Sequence, residues 1–328
     1  MKVLIIADCR EDFPSIHEEK HYNDHYSKKS VSDIKNSICD IGYDCDILGG
    51  IETLSKSLYH ISESSDKTIF FNLSDGLTQK NRRMQAPLLL ELMNAKYIGS
   101  DPFVVGVVNN KYFTNKFLKV HNITVPDALI YDNWADNHYL KYPVVIKPND
   151  EGSSIGISQM SICHNDMESK QRILYLIDQD YTPIIEKYIS GYEITNFIIG
   201  NKDNILLNEL ILSKYKQEAY FEEFVFGHEE KCSEKRNQMV LTNNTPFVPV
   251  SNIKKTGQRI FKILGLQDFA RIDFRVTLEG VPVCIEVNSL PVISKTSEIG
   301  TICNCYGYSL SHILELIINT AKERMKMY

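Results

Sequence analysis

The first hundred positions alternate between apolar runs of strand length and segments in which apolar residues recur at helical spacing. Strand patterns occur at 2–8, 45–48 and 68–73, and helical patterns occur at 31–41 and 85–93. An alternating order of strands and helices is typical of an α/β unit with a parallel sheet. We therefore predict one α/β domain over residues 1–100.

A second pattern begins near Asp101-Pro102, where strands and helices are mixed without an internal repeat. Helical spacing occurs at 110–121, 251–264 and 309–325, and strand patterns occur at 142–148, 195–199 and 205–212. Residues 213–245 are highly charged and aperiodic, which predicts a long surface loop. Loops of that length commonly have a function.

Two stretches near the C-terminus, 271–277 and 282–288, alternate strictly between polar and apolar positions. This alternation predicts two strands of a hairpin. If Glu279-Gly280 forms a two-residue turn, Leu278 pairs with Val281 and the register of both strands is fixed.

In that register the polar side chains of the hairpin share one face. Asp273 lies opposite Glu286, and Arg271 lies opposite Asn288. The opposite face is predicted to be apolar and to contain Ile272, Phe274, Val276, Val283, Ile285 and Val287.

The opposed acids suggest a metal site. Two like charges placed directly opposite each other destabilise a sheet unless something neutralises them. Carboxylate and amide oxygens suit Mg²⁺, and Arg271 beside them could hold a phosphate. A solvated hairpin face would show the same alternation and is the alternative interpretation.

Composition and charge narrow the range of partners. The chain has 328 residues, enough for two or three domains, and a net charge of −6 without a long basic run, so nucleic acid is not an expected partner. The apolar run at 3–7 is shorter than a signal-peptide core, and no segment approaches the length of a membrane span, which predicts a cytoplasmic protein with no membrane partner. The eight cysteines include no CxxC pair, so we expect buried thiols and neither disulfides nor zinc ligands.

The segment from Lys147 to Gly156 has the character of a phosphate-binding loop. Its small residues allow backbone N–H groups to approach oxygens, its two serines add hydroxyl donors, and Lys147 adds charge. A serine- and glycine-rich turn with no ligand is the alternative.

A histidine pattern near the N-terminus resembles a zinc motif. His17-Glu-Glu-Lys-His21 fits HExxH, and His25 would lie on the same helical face. The segment is uniformly charged and has no apolar face with which to dock, so we favour a solvated helix or loop over a zinc peptidase site.

Several of these features occur in a fixed order along the chain: Lys111, Lys147, the loop at 151–156, the segment 186–193, and the hairpin. Together with residues 87–100 they resemble the ATP-grasp superfamily, and most closely the D-alanine–D-alanine ligases. The resemblance covers about residues 70–297. It implies an α/β fold of the α+β ATP-grasp type with three domains. The three domains are an N-terminal Rossmann-like substrate domain (1–100), a small central domain (101–185) and a C-terminal antiparallel-sheet domain (186–328). ATP is expected to bind between the central and the C-terminal domain.

The resemblance implies a set of nucleotide-binding residues. The lysines of the set contact the phosphates, the serines close over them, and the two acids bind adenine and ribose. The residues are Lys111, Lys147, Ser153, Ser154, Glu186, Tyr188, Ile189 and Glu193.

The resemblance also implies metal-binding and catalytic residues. Asp273, Glu286 and Asn288 match the ligands of two Mg²⁺ ions, which Mn²⁺ could replace. Arg271 matches the arginine that stabilises the transferring phosphoryl group. Lys231, in a lid at about 213–245, and Ser154 complete the catalytic set.

The chemistry implied by the resemblance is amide-bond formation in two steps. ATP phosphorylates a carboxylate to an acyl phosphate, and an amine then displaces phosphate. Positioning and charge neutralisation dominate such phosphoryl transfer, and water must be excluded to protect the intermediate.

The substrate half departs from the family pattern. The N-terminal glycine-rich turn with its serine and glutamate is absent, and Asn72-Leu-Ser-Asp-Gly76 replaces other family elements. Val292 stands where the family has glycine, whereas Ser297 matches the serine that contacts the acceptor carboxylate. Arg82 or Arg83 could bind a further carboxylate, although an exposed arginine at a helix start is the alternative.

We therefore favour a ligase that joins an amino acid to an amine or to a second amino acid. We expect a pair of substrates other than D-alanine with D-alanine. The alternatives are a D-alanine–D-alanine ligase of cell-wall synthesis, an enzyme that loads an amino acid onto a carrier protein, and a nucleotide-binding module without catalysis. A homodimer is expected by analogy with the family.

Overall fold

The computed structural model describes residues 1–13, 24–57, 67–77, 81–131 and 140–326, and within them the strands form three sheets. The first sheet is parallel, in the order β2-β1-β3-β4. Its strands are β1 (Lys2–Ile6), β2 (Asp44–Gly49), β3 (Thr68–Asn72) and β4 (Lys96–Ile98). Its helices are α1 (Lys28–Asp40), α2 (Ile51–Lys56) and α3 (Gln85–Leu92). The predicted α/β unit with a parallel sheet is confirmed.

The second sheet is antiparallel, in the order β5-β8-β6-β7. Its strands are β5 (Ala128–Ile130), β6 (Val144–Pro148), β7 (Ile162–Cys163) and β8 (Pro183–Lys187). The accompanying helices are α4 (Pro102–Asn109), α5 (Lys111–Val120) and α6 (Asp166–Asp178), of which the sequence patterns predict only α5. Strand β8 crosses the predicted limit between residues 185 and 186, and the domain limits remain a prediction.

The third sheet is antiparallel and runs β12-β10-β9-β13-β14, with β11 paired to β9. Its strands are β9 (Gly191–Asn201), β10 (Asn204–Tyr215), β11 (Tyr220–Phe221), β12 (Arg236–Val240), β13 (Gln267–Val276) and β14 (Pro282–Asn288). The remaining helices are α7 (His228–Cys232), α8 (Val250–Leu264), α9 (Glu298–Tyr306) and α10 (Leu310–Met325).

The third sheet is covered on both faces. Helix α8 buries Ile253 and Phe261 in one core with Ile272 and Phe274 of β13. Helix α10 packs against the other side, in a second core that also includes residues of β1 and α1. The first and third sheets therefore share a continuous apolar core, which fixes their relative position.

The hairpin between β13 and β14 has the predicted register at its polar end, but its turn is different. Thr277 N donates to Val281 O at 3.1 Å, and Gly280 N donates to Thr277 O at 2.9 Å. Residues 278–280 therefore form a three-residue loop in which Gly280 has φ +77°. The predicted two-residue turn, with Leu278 paired to Val281, is wrong.

A β-bulge restores the register. Phe274 pairs with Cys284, whereas Asp273 pairs with Glu286, so Ile285 is the extra residue on β14. Cys284 consequently joins the core beside Phe274, and Ile285 lines a cleft on the other side. The prediction that Val283 and Ile285 lie on the core face with Phe274 is wrong, because the turn and the bulge each shift the pairing by one residue.

The prediction that residues 213–245 form one long surface loop is also wrong. The segment contains the end of β10, β11, α7 and β12, and Leu212 to Tyr215 pair with Arg236 to Met239. Its residues 224–231 lie against the loop that follows Lys147, as described below. The charged composition hid these short elements, and the segment buries Phe221 of β11, Val240 of β12 and Phe226, which precedes α7.

All eight cysteines have free thiols, of which four are buried, as predicted, and three are exposed. Within the described ranges, no helix has both the length and the apolar character needed to cross a bilayer.

Candidate active site

Asp273 and Glu286 lie directly opposite each other on β13 and β14, as the sequence predicts. Asp273 is fixed by Arg271, whose Nε and Nη2 donate to its two oxygens at 3.1 and 3.0 Å. Thr195, which faces Asp273 from β9, donates its hydroxyl at 3.0 Å, and the Asn288 amide donates at 3.4 Å. Arg271, Asp273 and Asn288 are therefore joined by hydrogen bonds, and Glu286 lies opposite Asp273 on β14.

Arg271 is also held by a residue that the sequence reasoning missed. Glu298, the first residue of α9, has its Oε2 at 3.6 Å from Arg271 Nη1 and accepts from Arg236 and Gln238 at 3.1 Å each. Burial alone would raise the pKa of Glu298, but Arg271 and Arg236 lower it to about 2. Glu298 is therefore an ionised partner that orients Arg271.

The two opposed carboxylates have different pKa directions. Burial raises the pKa of Asp273, with Arg271 opposing and Glu286 adding to the rise. Burial would also raise the pKa of Glu286, but Lys111, Lys231 and Arg271 outweigh it and lower the value to about 2. Glu286 is thus firmly ionised, whereas the anionic form of Asp273 is destabilised by burial and by Glu286. A cation bound between them would stabilise both carboxylates.

The donor chemistry of this face fits Mg²⁺. Asp273, Glu286 and Asn288 offer two carboxylates and an amide, which are hard oxygen donors. Over the part of the chain that the structure describes, no group of three or more His, Cys, Asp or Glu side chains could hold a metal ion. A metal bound here would therefore need oxygens beyond the protein carboxylates, and phosphate oxygens are the usual complement of Mg²⁺.

The lysines predicted to contact phosphates lie beside these acids. Lys111 Nζ lies 3.3 Å from Glu286 Oε1 and also donates to the backbone oxygen of Glu151. Lys147 Nζ lies 2.7 Å from Glu186 Oε2. Burial would lower the pKa of Lys147, but Glu186 and Glu286 raise it above its ordinary value, so its ammonium is retained.

Lys231 reaches the same cleft from α7. Burial and the neighbouring Arg271 lower its pKa, against the opposing effect of Glu286. Lys231 lines the cleft together with Asp273 and Glu286, so the lysine predicted for the lid is brought to these two acids.

The serine-rich loop after Lys147 does not direct both hydroxyls to one place. Ser153 and Ser154 have left-handed φ values of +52° and +60°. Ser154 lines the cleft, but its hydroxyl donates to Phe226 O at 2.7 Å, so it joins the loop to the segment before α7. Ser153 lines a separate cavity.

An arginine that the sequence reasoning missed organises the other end of the cleft. Arg275, two residues after Asp273 on the same face of β13, has its Nε at 2.7 Å from Glu193 Oε2. Its Nη2 donates to Phe224 O at 2.7 Å, and Tyr188 OH donates to the same oxygen at 3.0 Å. Glu193 and Tyr188 are thus tied to the predicted lid segment. The strict alternation along β13 was the signal that could have identified Arg275.

The cleft has about 710 Å³ of empty space, part of which is open to solvent. It brings together most of the residues predicted for nucleotide and metal. Those that line it are Lys111, Lys147, Ser154, Glu186, Tyr188, Ile189, Glu193, Lys231, Asp273 and Glu286, with Arg275 in addition.

A second, smaller cavity adjoins the first. It is lined by Tyr26, Asn72, Leu73, Ser74, Asp75, Arg83, Ser153, Phe269, Arg271, Asn288, Leu290, Pro291 and Val292. The predicted substrate residues Arg83 and Val292 are among them. Ser297 is not; its hydroxyl donates to Ser294 O at 2.9 Å at the start of α9.

Arg82 and Arg83 are not exposed residues at a helix start, so that alternative is wrong. Their side chains are 3% and 14% exposed, and both donate to Asp24 Oδ2, at 2.7 and 2.9 Å. Arg82 also pairs with Glu151 at 3.0 Å, and Arg83 pairs with Asp75 at 2.9 Å. The pair therefore links the first domain to the loop after Lys147.

Of the three histidines in the zinc-like pattern, the described residues include only His25. It is buried, and its Nε2 lies 3.1 Å from Gly76 O. His17 and His21 lie outside the described residues.

Comparison with known proteins identifies relatives of this chain. Residues 114–319 match the family model described as D-ala D-ala ligase C-terminus. A D-alanine–D-alanine ligase of Thermotoga petrophila is 24% identical over 297 residues, covering 90% of this chain and 92% of that protein. A D-alanine–D-alanine ligase of Aquifex aeolicus is 29% identical over 239 residues, covering 70% and 75%.

Solved structures show the same fold. The D-alanine–D-alanine ligase of Bacillus anthracis in complex with ATP aligns with a TM-score of 0.74 at 21% identity, covering 99% of each chain. The VanG D-Ala:D-Ser ligase of Enterococcus faecalis aligns with a TM-score of 0.70 at 18% identity, covering 98% of this chain and 99% of that chain.

Proposed function

Because this chain belongs to the D-alanine–D-alanine ligase family and is an ATP-dependent ligase that forms C–N bonds, we propose that it joins an amino-acid carboxylate to an amine. In the proposed reaction the two substrates are not both D-alanine. The proposed reaction proceeds through an acyl phosphate, and the amine is a small metabolite or a second amino acid.

One structural relationship supports this reaction above all. Polar residues of β13 and β14 that are two positions apart line different cavities. Asp273 and Glu286 line the larger one, whereas Arg271 and Asn288 line the smaller one. A phosphoryl donor in the first cavity and a carboxylate in the second would thus meet across the polar face of the hairpin, which is the arrangement that phosphoryl transfer requires.

The protein groups proposed to act on the phosphates are cationic. Lys111, Lys147 and Lys231 would neutralise phosphate oxygens, and Arg271 would stabilise charge on the group in transfer. Asp273, Glu286 and Asn288 are proposed to hold Mg²⁺, with Mn²⁺ as an alternative. When bound, the metal would supply further neutralisation of phosphate charge.

The nucleoside is proposed to lie at the other end of the larger cleft. Glu186 and Glu193, with Tyr188 and Ile189, are the proposed contacts for adenine and ribose. The segment 224–231 is proposed as the lid, because Ser154, Tyr188 and Arg275 all bind its backbone. A closed lid would keep water from the acyl phosphate.

The substrate preference rests on the smaller cavity. Its lining includes Asn72, Asp75, Arg83 and Val292. Different side chains around a substrate select a different substrate, because a buried polar group left without its partner is costly. A D-alanine–D-alanine ligase, and an enzyme that loads a carrier protein, are the alternative functions.

The decisive experiment is a phosphate-release screen with ATP and Mg²⁺ over L- and D-amino acids, singly and in pairs, with mass spectrometry of the products. We expect ADP, phosphate and an amide that is not D-alanyl-D-alanine. Robust turnover with D-alanine alone would contradict the proposed substrate preference. Light scattering of the purified chain tests the expected homodimer.

A further inference from the structure

The lining of the smaller cavity carries both an acid and guanidinium groups. Asp75, which follows β3, lines it together with its ion-pair partner Arg83, and Arg271 of β13 lines it as well. The apolar lining residues are Leu73, Phe269, Leu290, Pro291 and Val292. A ligand with one cationic and one anionic group could pair with both Asp75 and Arg271.

Asp75 belongs to a buried cluster in which, among the described residues, carboxylates outnumber guanidinium groups. The cluster contains three carboxylates, Asp24, Asp75 and Glu151, and two guanidinium groups, Arg82 and Arg83. One negative charge is therefore left over when all five groups are ionised. Burial raises the pKa of Asp75 to about 7, and Asp24 adds to this rise. A cation bound at Asp75 would remove the imbalance.

Asp75 also has access to the cavity, unlike Asp24. The ion pair with Arg83 uses Oδ1 of Asp75, and the Asp75 side chain is 12% exposed. Asp24 has a side chain that is only 1% exposed and does not line the cavity.

The acids of the described N-terminal segment, residues 1–13, have other partners. Asp8 accepts hydrogen bonds from the Ser74 hydroxyl and from Ile51 N. Glu11 accepts from Lys28 N at 3.0 Å, and Asp12 pairs with Lys28 Nζ at 2.5 Å. Within this segment no acid lines the smaller cavity. Among the described residues that line the cavity, Asp75 is the carboxylate.

We propose that Asp75 determines the specificity for the carboxylate substrate by binding its α-ammonium group, so that the cavity accepts an α-amino acid and discriminates against the 2-hydroxy acid of the same shape. The substrate carboxylate is then directed toward Arg271. This inference rests on the proposed function, because it takes the smaller cavity as the site of the carboxylate substrate.

The test measures binding separately from turnover. Calorimetry with a non-hydrolysable ATP analogue and Mg²⁺ compares D- and L-alanine, valine, leucine and phenylalanine with the 2-hydroxy acids of the same side chain and configuration. A buried, charge-assisted hydrogen bond predicts that the wild-type chain prefers at least one amino acid by about tenfold to a hundredfold. Asp75→Asn should remove this preference, and Asp75→Glu should retain part of it.

A matched control comes from the same cluster. Asp24→Asn removes a buried charge of the cluster but no cavity-lining group, so it should lower the melting temperature and weaken the preference for the ammonium group without removing it. A wild-type chain that binds no amino acid of the panel, or that binds amino and hydroxy acids equally, would overturn the proposal. Retention of the preference in Asp75→Asn would overturn it as well.

Phosphate release, measured on the same panel, separates the two proposals. Binding that depends on Asp75 without amino-acid-dependent phosphate release would contradict the proposed function and support the role of Asp75. Phosphate release whose preference is unchanged in Asp75→Asn would contradict the role of Asp75 alone. If Asp75→Asn does not fold, the role of Asp75 is tested by comparing the amino-acid preference of Asp75→Glu with that of the wild type. A preference in Asp75→Glu equal to that of the wild type would then contradict this role.

Discussion

Arg275 is paired with Glu193 at 2.7 Å, and this contact connects the proposed nucleoside site to the segment proposed as a lid. Arg275 also donates to Phe224 O and lies with its guanidinium 5.6 Å from the ring centre of Phe221. Glu193 is thus held by a residue that itself depends on the position of residues 221–224. Nucleotide binding and lid position should therefore change together.

We expect Arg275→Met to weaken nucleotide binding. The substitution retains most of the side-chain volume but leaves Glu193 without its buried partner, which costs about 1–3 kcal/mol and corresponds to about a tenfold to hundredfold rise in the Kd for an ATP analogue. Calorimetric titration gives the Kd. The matched control is Arg259→Met, because Arg259 is exposed, lies outside the cleft lining and donates to the backbone of His121. An unchanged Kd in Arg275→Met would show that Glu193 needs no such support.

Glu286→Gln should abolish phosphate release while the chain stays folded. Glu286 is ionised, since its pKa is lowered to about 2, and it faces Lys111 and the proposed metal ligand Asp273. Loss of its charge should reduce metal-dependent phosphate release at least about a hundredfold, and circular dichroism should confirm the fold. Glu52→Gln, at an exposed ion pair with Lys56, is the control and should be fully active. Near-normal turnover in Glu286→Gln would refute the metal-binding role of this residue.

The sequence predicts the polar face of the hairpin correctly although the predicted turn is wrong. The turn has one residue more than expected, which shifts the pairing of β13 with β14 by one residue. The bulge at Ile285 on β14 shifts the pairing back, so Asp273 still faces Glu286. Alternation identifies which residues share a face over a short distance. It does not detect a bulge, because an inserted residue changes the face of every residue on one side of it.

The ion pairs of Arg82 and Arg83 were beyond the reach of sequence patterns for a different reason. Their partner Asp24 lies 58 and 59 positions away, and Glu151 lies 69 positions from Arg82. Local periodicity gives no information on such contacts. Two adjacent arginines at a helix start are most often exposed, and only the folded arrangement of the first domain against the loop after Lys147 buries them.

Glu298 should make the stability of the fold depend on pH in the acid range. Its pKa is lowered from the ordinary 4.5 to about 2 in the folded chain, a difference worth about 3 kcal/mol. The contribution is present above pH 4.5 and is lost progressively as the pH falls toward 2, since the unfolded chain binds the proton first. Thermal unfolding of the wild type and of Glu298→Gln should therefore differ most near neutral pH and converge near pH 2. A constant difference across this range would contradict the ion pairs assigned to Glu298.

Ser154→Ala should uncouple phosphate release from amide formation. The Ser154 hydroxyl donates to Phe226 O at 2.7 Å, and the neighbouring Gln159 donates to Val225 O at 2.7 Å, so Ser154 provides one of the contacts that join the loop after Lys147 to the proposed lid. Its removal leaves the carbonyl of Phe226 without this donor, at a cost of about 1–3 kcal/mol, and should favour lid opening. Water would then reach the acyl phosphate, and the ratio of phosphate released to amide formed should rise above that of the wild type. Parallel phosphate and product assays give this ratio.

The matched control is Ser55→Ala, at an exposed serine that donates to Glu52 O, and it should leave the ratio unchanged. An unaltered ratio in Ser154→Ala, with nucleotide binding intact, would show that the lid excludes water without this contact.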